Sequence, residues 1–321
     1  LRSALLLMSG PKSPSLIDMK SKRVIITGAN SGLGKESAIA LAKLGAEIVL
    51  AVRDINKGQS VKNQILNQTP SAVVEVAELD LMDLDSVRKF AANQSTKPID
   101  VLLNNAGIMA VPFEKTKDGF ESQMGTNHLG HFLLTELLLD AISKGTNPRI
   151  VNVSSSAHRL GKLKSGDKGE INVSKENYSP WTVYGNSKLA NLLFTNELVR
   201  RLKIANSNIT VAVAHPGYAN TNLQLVAATK RSGLRKSVEL AVTKVMNIIL
   251  GQSAAKGALP QIAACTWTDI QSGDYLGPRG LFESRGKPKK VKMNKSAQDI
   301  ELAKRVWRTS EELIGVTFLH G

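Results

Sequence analysis

Tyr184 and Lys188 are the residues of this chain whose types and spacing point most directly to chemistry. Because they stand four apart, they share one face of a helix and their polar ends can converge. A phenol normally loses its proton near pH ~10, and a neighbouring ammonium lowers that pKa by favouring the phenolate. Such a tyrosine can exchange a proton with an alcohol or a carbonyl. The spacing alone is also common on helix surfaces, so its meaning depends on further motifs.

A glycine-rich turn far upstream is the second motif. Arg23–Thr27 is a β-branched apolar run typical of a buried strand, and it ends at Gly28. Gly28 permits a tight turn, Gly32 lets a pyrophosphate approach the backbone, and Gly34 lets the following helix pack close to the strand. The N-terminus of that helix offers free N–H groups to phosphates. The spacing G-x-x-x-G-x-G differs from the more common G-x-G-x-x-G, and a turn without a ligand is the alternative.

Further segments follow in order: Asn-Asn-Ala-Gly at 104–107, Asn127, Ser154-Ser155-Ser156, and His215-Pro216-Gly217 with Thr221. Together with the glycine turn and the tyrosine–lysine pair, they make the chain resemble the short-chain dehydrogenase/reductase superfamily over residues 20–280. The sequence phrases at 50–54, 125–132 and 187–191 resemble its retinol-dehydrogenase-like branch.

Strand-like and helix-like runs alternate, which indicates a parallel sheet with helices on both faces. After the first strand, further strands are predicted at 46–52, 72–79, 99–104, 148–154 and 208–214. Helices are predicted at 33–44, 54–68, 83–94, 119–143, 181–203, 236–250, 254–265 and 296–313. The resemblance implies a single-domain, Rossmann-type doubly wound α/β sheet of about seven parallel strands in the order 3-2-1-4-5-6-7. We therefore expect an N-terminal extension (1–19), an NADP-binding catalytic domain (20–284), and a basic loop with a C-terminal helix (285–321).

The resemblance also implies roles for four residues. Tyr184 is the expected acid/base, and Lys188 is expected to lower its pKa and to bind the nicotinamide ribose. Ser155 is expected to donate a hydrogen bond to the substrate oxygen; Ser154 and Ser156 compete for this role. Asn127 is expected to anchor a water that links Lys188 to solvent. The cofactor-binding residues implied are Gly28, Asn30, Ser31, Gly32, Leu33, Gly34, Arg53, Asp80, Leu81, Asn105, Ala106, Gly107, Tyr184, Lys188, Pro216, Gly217 and Thr221.

The end of the second strand predicts which dinucleotide binds. Enzymes that use NAD place a carboxylate there, which binds the ribose hydroxyls and repels a 2′-phosphate. Val52 occupies that slot and Arg53 follows, with a guanidinium that suits a phosphate. Lys35 could add a second positive charge, and Asp54 is interpreted as a helix N-cap. The sequence therefore favours NADP(H) over NAD(H).

The sequence identifies the substrate-binding residues less clearly than the cofactor-binding ones. An apolar cover after the sixth strand would exclude water during hydride transfer and admit a lipophilic carbonyl or alcohol. We predict that His158, Trp181, Tyr218 and Leu223 line the substrate side, with packing at the helix start as the alternative for Trp181. His128 and His131 lack carboxylate or thiol partners at ligand spacing, so no metal site is predicted and both are assigned to the helix surface.

Charge and cysteine content narrow the function classes. The net charge is +15, and the segment 285–295 contains basic residues and no acidic ones. No aromatic residues alternate with these basic residues, and no nucleic-acid-binding motif is present. We interpret this as an exposed, solvated loop and expect no nucleic-acid partner. The single cysteine, Cys265, is predicted to fill the core, and its lack of a partner fits a reducing compartment.

Location and assembly follow from similar arguments. We expect a cytoplasmic protein, with a trimmed organelle-targeting segment within 1–15 as the alternative. The apolar run at 4–8 is too short to span a bilayer, so membrane contact would be peripheral. The resemblance implies a homodimer or homotetramer.

Three functions remain open. The first is NADP(H)-dependent hydride transfer between nicotinamide and a lipophilic alcohol or carbonyl compound, such as a retinal, steroid or aldehyde. The second is reduction of a C=C bond, because residues 125–134 also resemble protochlorophyllide reductases; the expected cysteines are missing, however, with Asn105 and Tyr218 in comparable stretches. The third is a catalytically idle NADP(H)-binding sensor. The presence of Ser155, Tyr184 and Lys188 argues against this function, because such sensors usually lack the tyrosine or the lysine.

Overall fold

Short β-branched runs form the centre of the molecule. The computed structural model describes residues 14–217 and 252–319. The strands are β1 (Arg23–Thr27), β2 (Glu47–Val52), β3 (Val74–Glu78), β4 (Val101–Asn104), β5 (Arg149–Val153), β6 (Thr210–Ala214), β7 (Tyr275–Pro278) and β8 (Pro288–Lys290). They form one sheet in the order β3-β2-β1-β4-β5-β6-β7-β8. The predicted order of the first seven strands is confirmed, and all of them run parallel.

Helices cover both faces of this sheet, as predicted. The α-helices are α1 (Gly32–Lys43), α2 (Ile55–Gln68), α3 (Leu84–Gln94), α4 (Ser122–Met124), α5 (Gly130–Ser143), α6 (Lys168–Ile171), α7 (Pro180–Ile204), α8 (Ala254–Gly257), α9 (Leu259–Thr266) and α10 (Ile300–Ile314). One apolar core contains side chains of α3, α5, α7 and α10 on one face of the sheet. The other contains side chains of α1, α2 and α9. The predicted helix at 236–250 lies outside the described residues.

The predicted continuous helix at 119–143 is divided. Residues Gly125–Leu129 form a π-helical turn between α4 and α5, and this turn carries Asn127. Such turns are rare and frequently occur at functional sites. The predicted helix at 254–265 is likewise divided into α8 and α9, where Pro260 occupies the first turn of α9.

The basic segment at 285–295 is not simply an exposed loop, so that expectation was wrong. Residues Pro288–Lys290 form β8, which pairs antiparallel with β7 and extends the sheet to eight strands. The pairing joins Leu276 to Lys290 and Pro278 to Pro288. Charged residues are common on edge strands because they discourage pairing with other chains.

Helix α10 covers α7 and part of α5 with an aromatic cluster. The rings of Phe132, Phe194, Trp307 and Phe318 lie 4.7–6.4 Å apart, centre to centre. Phe132, in the centre of this cluster, is fully buried. Cys265 is also fully buried, as predicted, and burial raises the pKa of its thiol to about 12.

Candidate active site

The glycine turn after β1 brings two loops into close contact. Gly28 has φ +66°, and a Cβ there would lie 2.9 Å from Ala106 Cα. A Cβ on Gly34 would lie 2.5 Å from the carbonyl oxygen of Gly28. Both glycines are therefore needed for the approach of α1 and the loop after β4 to the turn. Ser31 is the N-cap of α1 but makes no side-chain capping hydrogen bond. The first N–H groups of α1 consequently remain available to an anion.

Thr27 organises the loop after β4. Its hydroxyl oxygen accepts hydrogen bonds from the N–H groups of Asn105 and Ala106, both at 2.9 Å. The Asn105 amide donates to the Thr27 carbonyl at 2.7 Å, and Gln261 donates to Asn105 Oδ1 at 3.0 Å. The Asn-Ala-Gly segment is thus fixed against the glycine turn. Sequence reasoning missed Gln261 because it lies in a distant helix with an apolar pattern.

A cavity of about 510 Å³ opens where these loops meet. Eleven of the predicted cofactor-binding residues line it: Gly28, Asn30, Ser31, Gly32, Leu33, Arg53, Asp80, Leu81, Asn105, Ala106 and Gly107. It lies at the carboxyl ends of β1, β2, β3 and β4, the place where doubly wound sheets bind ligands. Gly34 lies behind it in its packing role. Lys57 and Met82 also line it and were not predicted.

The two residues at the end of β2 differ in their surroundings. Val52 is buried in the core, where a Cβ on Gly58 would lie 2.7 Å from its methyl group. Arg53 is exposed on the cavity wall, and its guanidinium lies 3.8 Å from Met82 Sδ. Asp54 accepts a hydrogen bond from the Lys57 N–H, which confirms it as an N-cap. The Arg53 guanidinium is therefore available to a ligand in the cavity, whereas the Val52 side chain does not line the cavity.

Ser155, Tyr184 and Lys188 converge at the carboxyl end of β5. Burial raises the pKa of Tyr184, and a hydrogen bond with the Ser155 side chain opposes that rise. The Ser155 hydroxyl oxygen also accepts a hydrogen bond from the Ala157 N–H at 3.2 Å, which fixes its position at the end of β5. The expected lowering of the Tyr184 pKa by Lys188 is not found: burial is the largest influence on Tyr184 and acts in the opposite direction. Ser154 instead donates to the Lys188 carbonyl.

Lys188 is buried near the cavity and beside Asn127. Its ammonium donates to the Val153 carbonyl at 3.2 Å, and burial lowers its pKa to about 8. A Cβ on Gly107, which lines the cavity, would lie 3.4 Å from Lys188 Nζ and 3.0 Å from Asn127 Oδ1. Asn127 exchanges two hydrogen bonds with the Ile108 backbone, at 2.8 and 2.9 Å. These contacts connect Lys188 and Asn127 to the cavity wall.

His131 is buried, so its assignment to the helix surface was wrong. Its Nδ1 faces the Asn127 carbonyl at 3.2 Å, and its Nε2 lies 2.9 Å from the Thr27 hydroxyl. A carbonyl only accepts, so Nδ1 carries the proton. Burial lowers the pKa of His131 to about 3, so the ring is neutral and Nε2 accepts from Thr27. His131 therefore connects the π-helical turn to the end of β1. His128 is buried as well, with its Nε2 2.8 Å from Ser310 Oγ.

Pro216 and Gly217 follow β6 and are fixed by a different network. The Gly217 N–H donates to His215 Nδ1 at 3.2 Å, and His215 Nε2 therefore donates to Glu283 Oε2 at 3.1 Å. Glu283 also accepts from Arg159 at 3.1 Å. His215 and Arg159 hold the pKa of the Glu283 carboxyl below its usual range. This carboxylate joins the segment after Ser155 to the turn at 216–217.

The predicted substrate residues have different environments. Trp181 is 48% exposed, and its ring centre lies 6.2 Å from that of Tyr184 in an edge-to-face arrangement. His158 is fully buried, and its Nδ1 donates a hydrogen bond to the Ser155 carbonyl at 2.6 Å. This contact fixes the backbone of Ser155. Tyr218, Leu223 and the predicted cofactor residue Thr221 lie outside the described residues.

Comparison with known proteins decides the family. The model of the short chain dehydrogenase family matches residues 22–231, more than half of the chain. The chain belongs to that family. Human retinol dehydrogenase 13 is 38% identical to this dehydrogenase over 314 residues, which cover 96% of this chain and 89% of the human protein. Human retinol dehydrogenase 11 is 40% identical over 262 residues, 76% of this chain and 80% of that protein. The dehydrogenase therefore belongs to the retinol-dehydrogenase-like branch.

A solved structure shares this fold. The crystal structure of an uncharacterized protein from Mycobacterium paratuberculosis is 42% identical and has a TM-score of 0.76. The comparison covers 94% of the dehydrogenase and 97% of that chain. The fold described above is thus shared across nearly the full length of both chains.

The site of the dehydrogenase fits a nicotinamide cofactor. The open helix N-terminus at Ser31 and Gly32 suits a pyrophosphate, and Gly28, which also lines the cavity, has no room for a Cβ beside Ala106. In the described part of the chain, His, Cys, Asp and Glu side chains form no group that could hold a metal ion. Among the described helices, none combines the length and apolar composition of a membrane span.

Proposed function

We propose that the dehydrogenase transfers hydride between NADP(H) and the alcohol or carbonyl group of a lipophilic small molecule. The observation that supports this most directly is the placement of Lys188 Nζ 5.8 Å from the centre of the Tyr184 ring and near Gly107 of the cavity, with Ser155 acting on the pKa of the same tyrosine. A proton donor, a second hydroxyl and a cation thus lie beside a site that suits a dinucleotide. The retinol named in the relatives' descriptions is itself a lipophilic alcohol.

The bound cofactor supplies or accepts the hydride, and the protein positions the reacting groups. In carbonyl reduction, Ser155 donates a hydrogen bond to the substrate oxygen, where negative charge develops. Tyr184 gives its proton to that oxygen. Because burial makes ionisation of Tyr184 unfavourable, the phenolate needs a cation, which Lys188 provides in its protonated form.

Asn127 is proposed to complete the proton path. Its side chain is committed to Ile108 and Ser187, and the π-helical turn places it beside Lys188. We propose that a water held near Asn127 returns protons to Lys188 from solvent. His131 fixes this turn through the Asn127 carbonyl.

The preference for NADP(H) rests on Arg53. Its guanidinium is exposed on the cavity wall and can bind a 2′-phosphate bidentately. Lys57 lines the same cavity and adds a second positive charge, although it pairs with Asp54 at 3.1 Å. Lys35, the second cation expected from the sequence, does not line the cavity.

The proposal is tested by following NADPH absorbance with a panel of straight-chain aldehydes, retinal and steroid ketones. Consumption of NADPH with stoichiometric formation of an alcohol supports it, and faster turnover with longer apolar chains supports a lipophilic substrate. An alkene product with the carbonyl intact would instead indicate C=C reduction. Tight NADPH binding without turnover on any member would indicate a sensor.

A further inference from the structure

Leu281 and Phe282 form an exposed apolar tip at the turn between β7 and β8. Their exposed fractions are 77% and 85%, larger than those of the other exposed large apolar residues in the described ranges. Single exposed apolar residues are ordinary on protein surfaces, but two adjacent ones at the end of a hairpin form a protruding patch. We define the turn at 279–287 as the hairpin tip.

The backbone of the hairpin tip keeps this pair on the outside. Phe282 and Glu283 have φ values of +50° and +56°, a left-handed conformation that is unfavourable for residues with a Cβ. Hydrogen bonds close the turn below them: Gly280 N–H donates to the Arg285 carbonyl at 2.8 Å, and Arg279 N–H to the Lys287 carbonyl at 2.7 Å. The exposed arrangement is therefore a closed turn rather than a frayed end.

Glu283 anchors the tip from the inside. Its carboxylate contacts His215 and Arg159, both at 3.1 Å, and this inward contact fixes the residue that directly follows Phe282. A Cβ on Gly217 would lie 2.4 Å from the Ser284 carbonyl oxygen, so the base of the turn is packed tightly against the segment after β6. With its base fixed, the turn holds Leu281 and Phe282 in solvent.

Three exposed cations flank the apolar pair. Arg279 precedes it by two residues, and Arg285 and Lys287 follow it. None of the three forms an ion pair within residues 14–217 and 252–319. Lys290, by contrast, pairs with Asp274 at 2.8 Å. The tip therefore combines a protruding apolar pair with positive charge on both sides that has no ion-pair partner among the described residues.

We propose that the hairpin tip binds the surface of an anionic phospholipid bilayer. Leu281 and Phe282 would enter the boundary between headgroups and acyl chains, and the three cations would contact lipid phosphates and carboxylates. A second copy of the chain fits less well, because a two-fold interface would place the same positive tip against itself. This surface does not depend on the proposed reaction, since neither apolar side chain lines the cavity.

Vesicle flotation of the full chain tests this binding. Wild type is compared on vesicles of phosphatidylcholine alone and on vesicles with about 30 mol % phosphatidylserine, an anionic surface that attracts basic segments. Wild type should float with the anionic vesicles and much less with the neutral ones. Leu281→Ser with Phe282→Ser should weaken binding by at least ~10-fold. Arg279→Gln with Arg285→Gln and Lys287→Gln should weaken it by ~10² at low salt, because each cation contributes about fivefold.

Matched variants control for general hydrophobicity and charge. Val73→Ser with Ile204→Ser removes two other exposed apolar side chains, and Lys97→Gln with Lys144→Gln and Lys203→Gln removes three other exposed cations. Both controls should bind as wild type does, and all variants should keep the wild-type Tm. The proposal is overturned if wild type ignores anionic vesicles or if the tip variants bind as well as the controls. It is also overturned if the serine variant only lowers the native mass in light scattering, which would identify a subunit interface.

Discussion

The Nζ atom of Lys188 lies 5.8 Å from the centre of the Tyr184 ring, and both side chains are buried. Burial acts on the two groups in opposite directions. It raises the pKa of Tyr184 and lowers that of Lys188 to about 8, so each group resists its charged form. A proton that leaves Tyr184 is therefore best tolerated while Lys188 remains protonated.

This relationship predicts a loss of carbonyl reduction as the pH rises through about 8. Below that pH, Lys188 is an ammonium and supports the phenolate; above it, the neutral amine does not. Turnover at saturating NADPH should fall on this alkaline limb. In Lys188→Arg the cation persists to much higher pH, because the guanidinium pKa exceeds ~12. The limb should therefore move upward in that variant, whatever its absolute rate. An unchanged limb in the arginine variant would assign the titration to another group.

Arg53 is predicted to set the cofactor preference. Arg53→Ala should weaken NADPH binding by ~10-fold or more and leave NADH binding nearly unchanged, because a charge-assisted contact to the 2′-phosphate is lost. Lys203→Ala, an exposed cation on the far end of α7, serves as the control. The measurement is the ratio of kcat/KM with the two cofactors. A wild type that prefers NADH would contradict the role of Arg53.

Trp181 is predicted to contribute to the substrate side of the site. Its partly exposed ring meets Tyr184 edge to face, so it can cover an apolar substrate near the reacting oxygen. Trp181→Ala should raise KM for long-chain aldehydes by several-fold and leave KM for short ones and the Kd of NADPH unchanged. Ile204→Ala, exposed at the other end of the same helix, should alter none of them. Equal KM changes for short and long aldehydes would indicate a packing role at the helix start.

His131 is predicted to make the fold sensitive to acid. Burial lowers its folded-state pKa from the ordinary value of 6.5 to about 3, so the unfolded chain binds a proton at pH values where the folded protein does not. The stabilisation is present above pH 6.5 and is lost as the pH falls below it. Between pH 7 and 5 this residue should account for about 2 kcal/mol of the lost free energy of unfolding. Urea unfolding of His131→Gln should show a smaller decrease over the same range, and an equal decrease would contradict the buried, neutral ring.

Much of the fold could be predicted because its signals are local. Arg23–Thr27 and the glycines that follow specify a strand, a turn and a helix within a short segment, and Asp54 was recognisable as a cap. Features that depend on distant contacts were missed. Pro288–Lys290 has the composition of a solvated charge run, and only pairing with β7 makes it a strand. His131 is polar, and nothing near it in the sequence indicates that Thr27 lies within hydrogen-bond distance.

The candidate site shows the same division. The roles of Tyr184 and Lys188 could be predicted from their residue types and their spacing. The direction in which the Tyr184 pKa shifts could not be predicted, because it depends on how deeply the ring is buried. Lys57 lies four residues after Arg53, yet its place on the cavity wall depends on how α2 leaves the sheet.

The substitution Tyr184→Phe tests the central claim most directly. It removes the transferable proton and keeps the ring, so the Kd of NADPH should stay near the wild-type value while turnover of an aldehyde falls by ~10² or more. Thermal unfolding of the variant would verify that the buried ring still packs. Near-normal turnover in Tyr184→Phe would contradict the proposal that Tyr184 carries the proton.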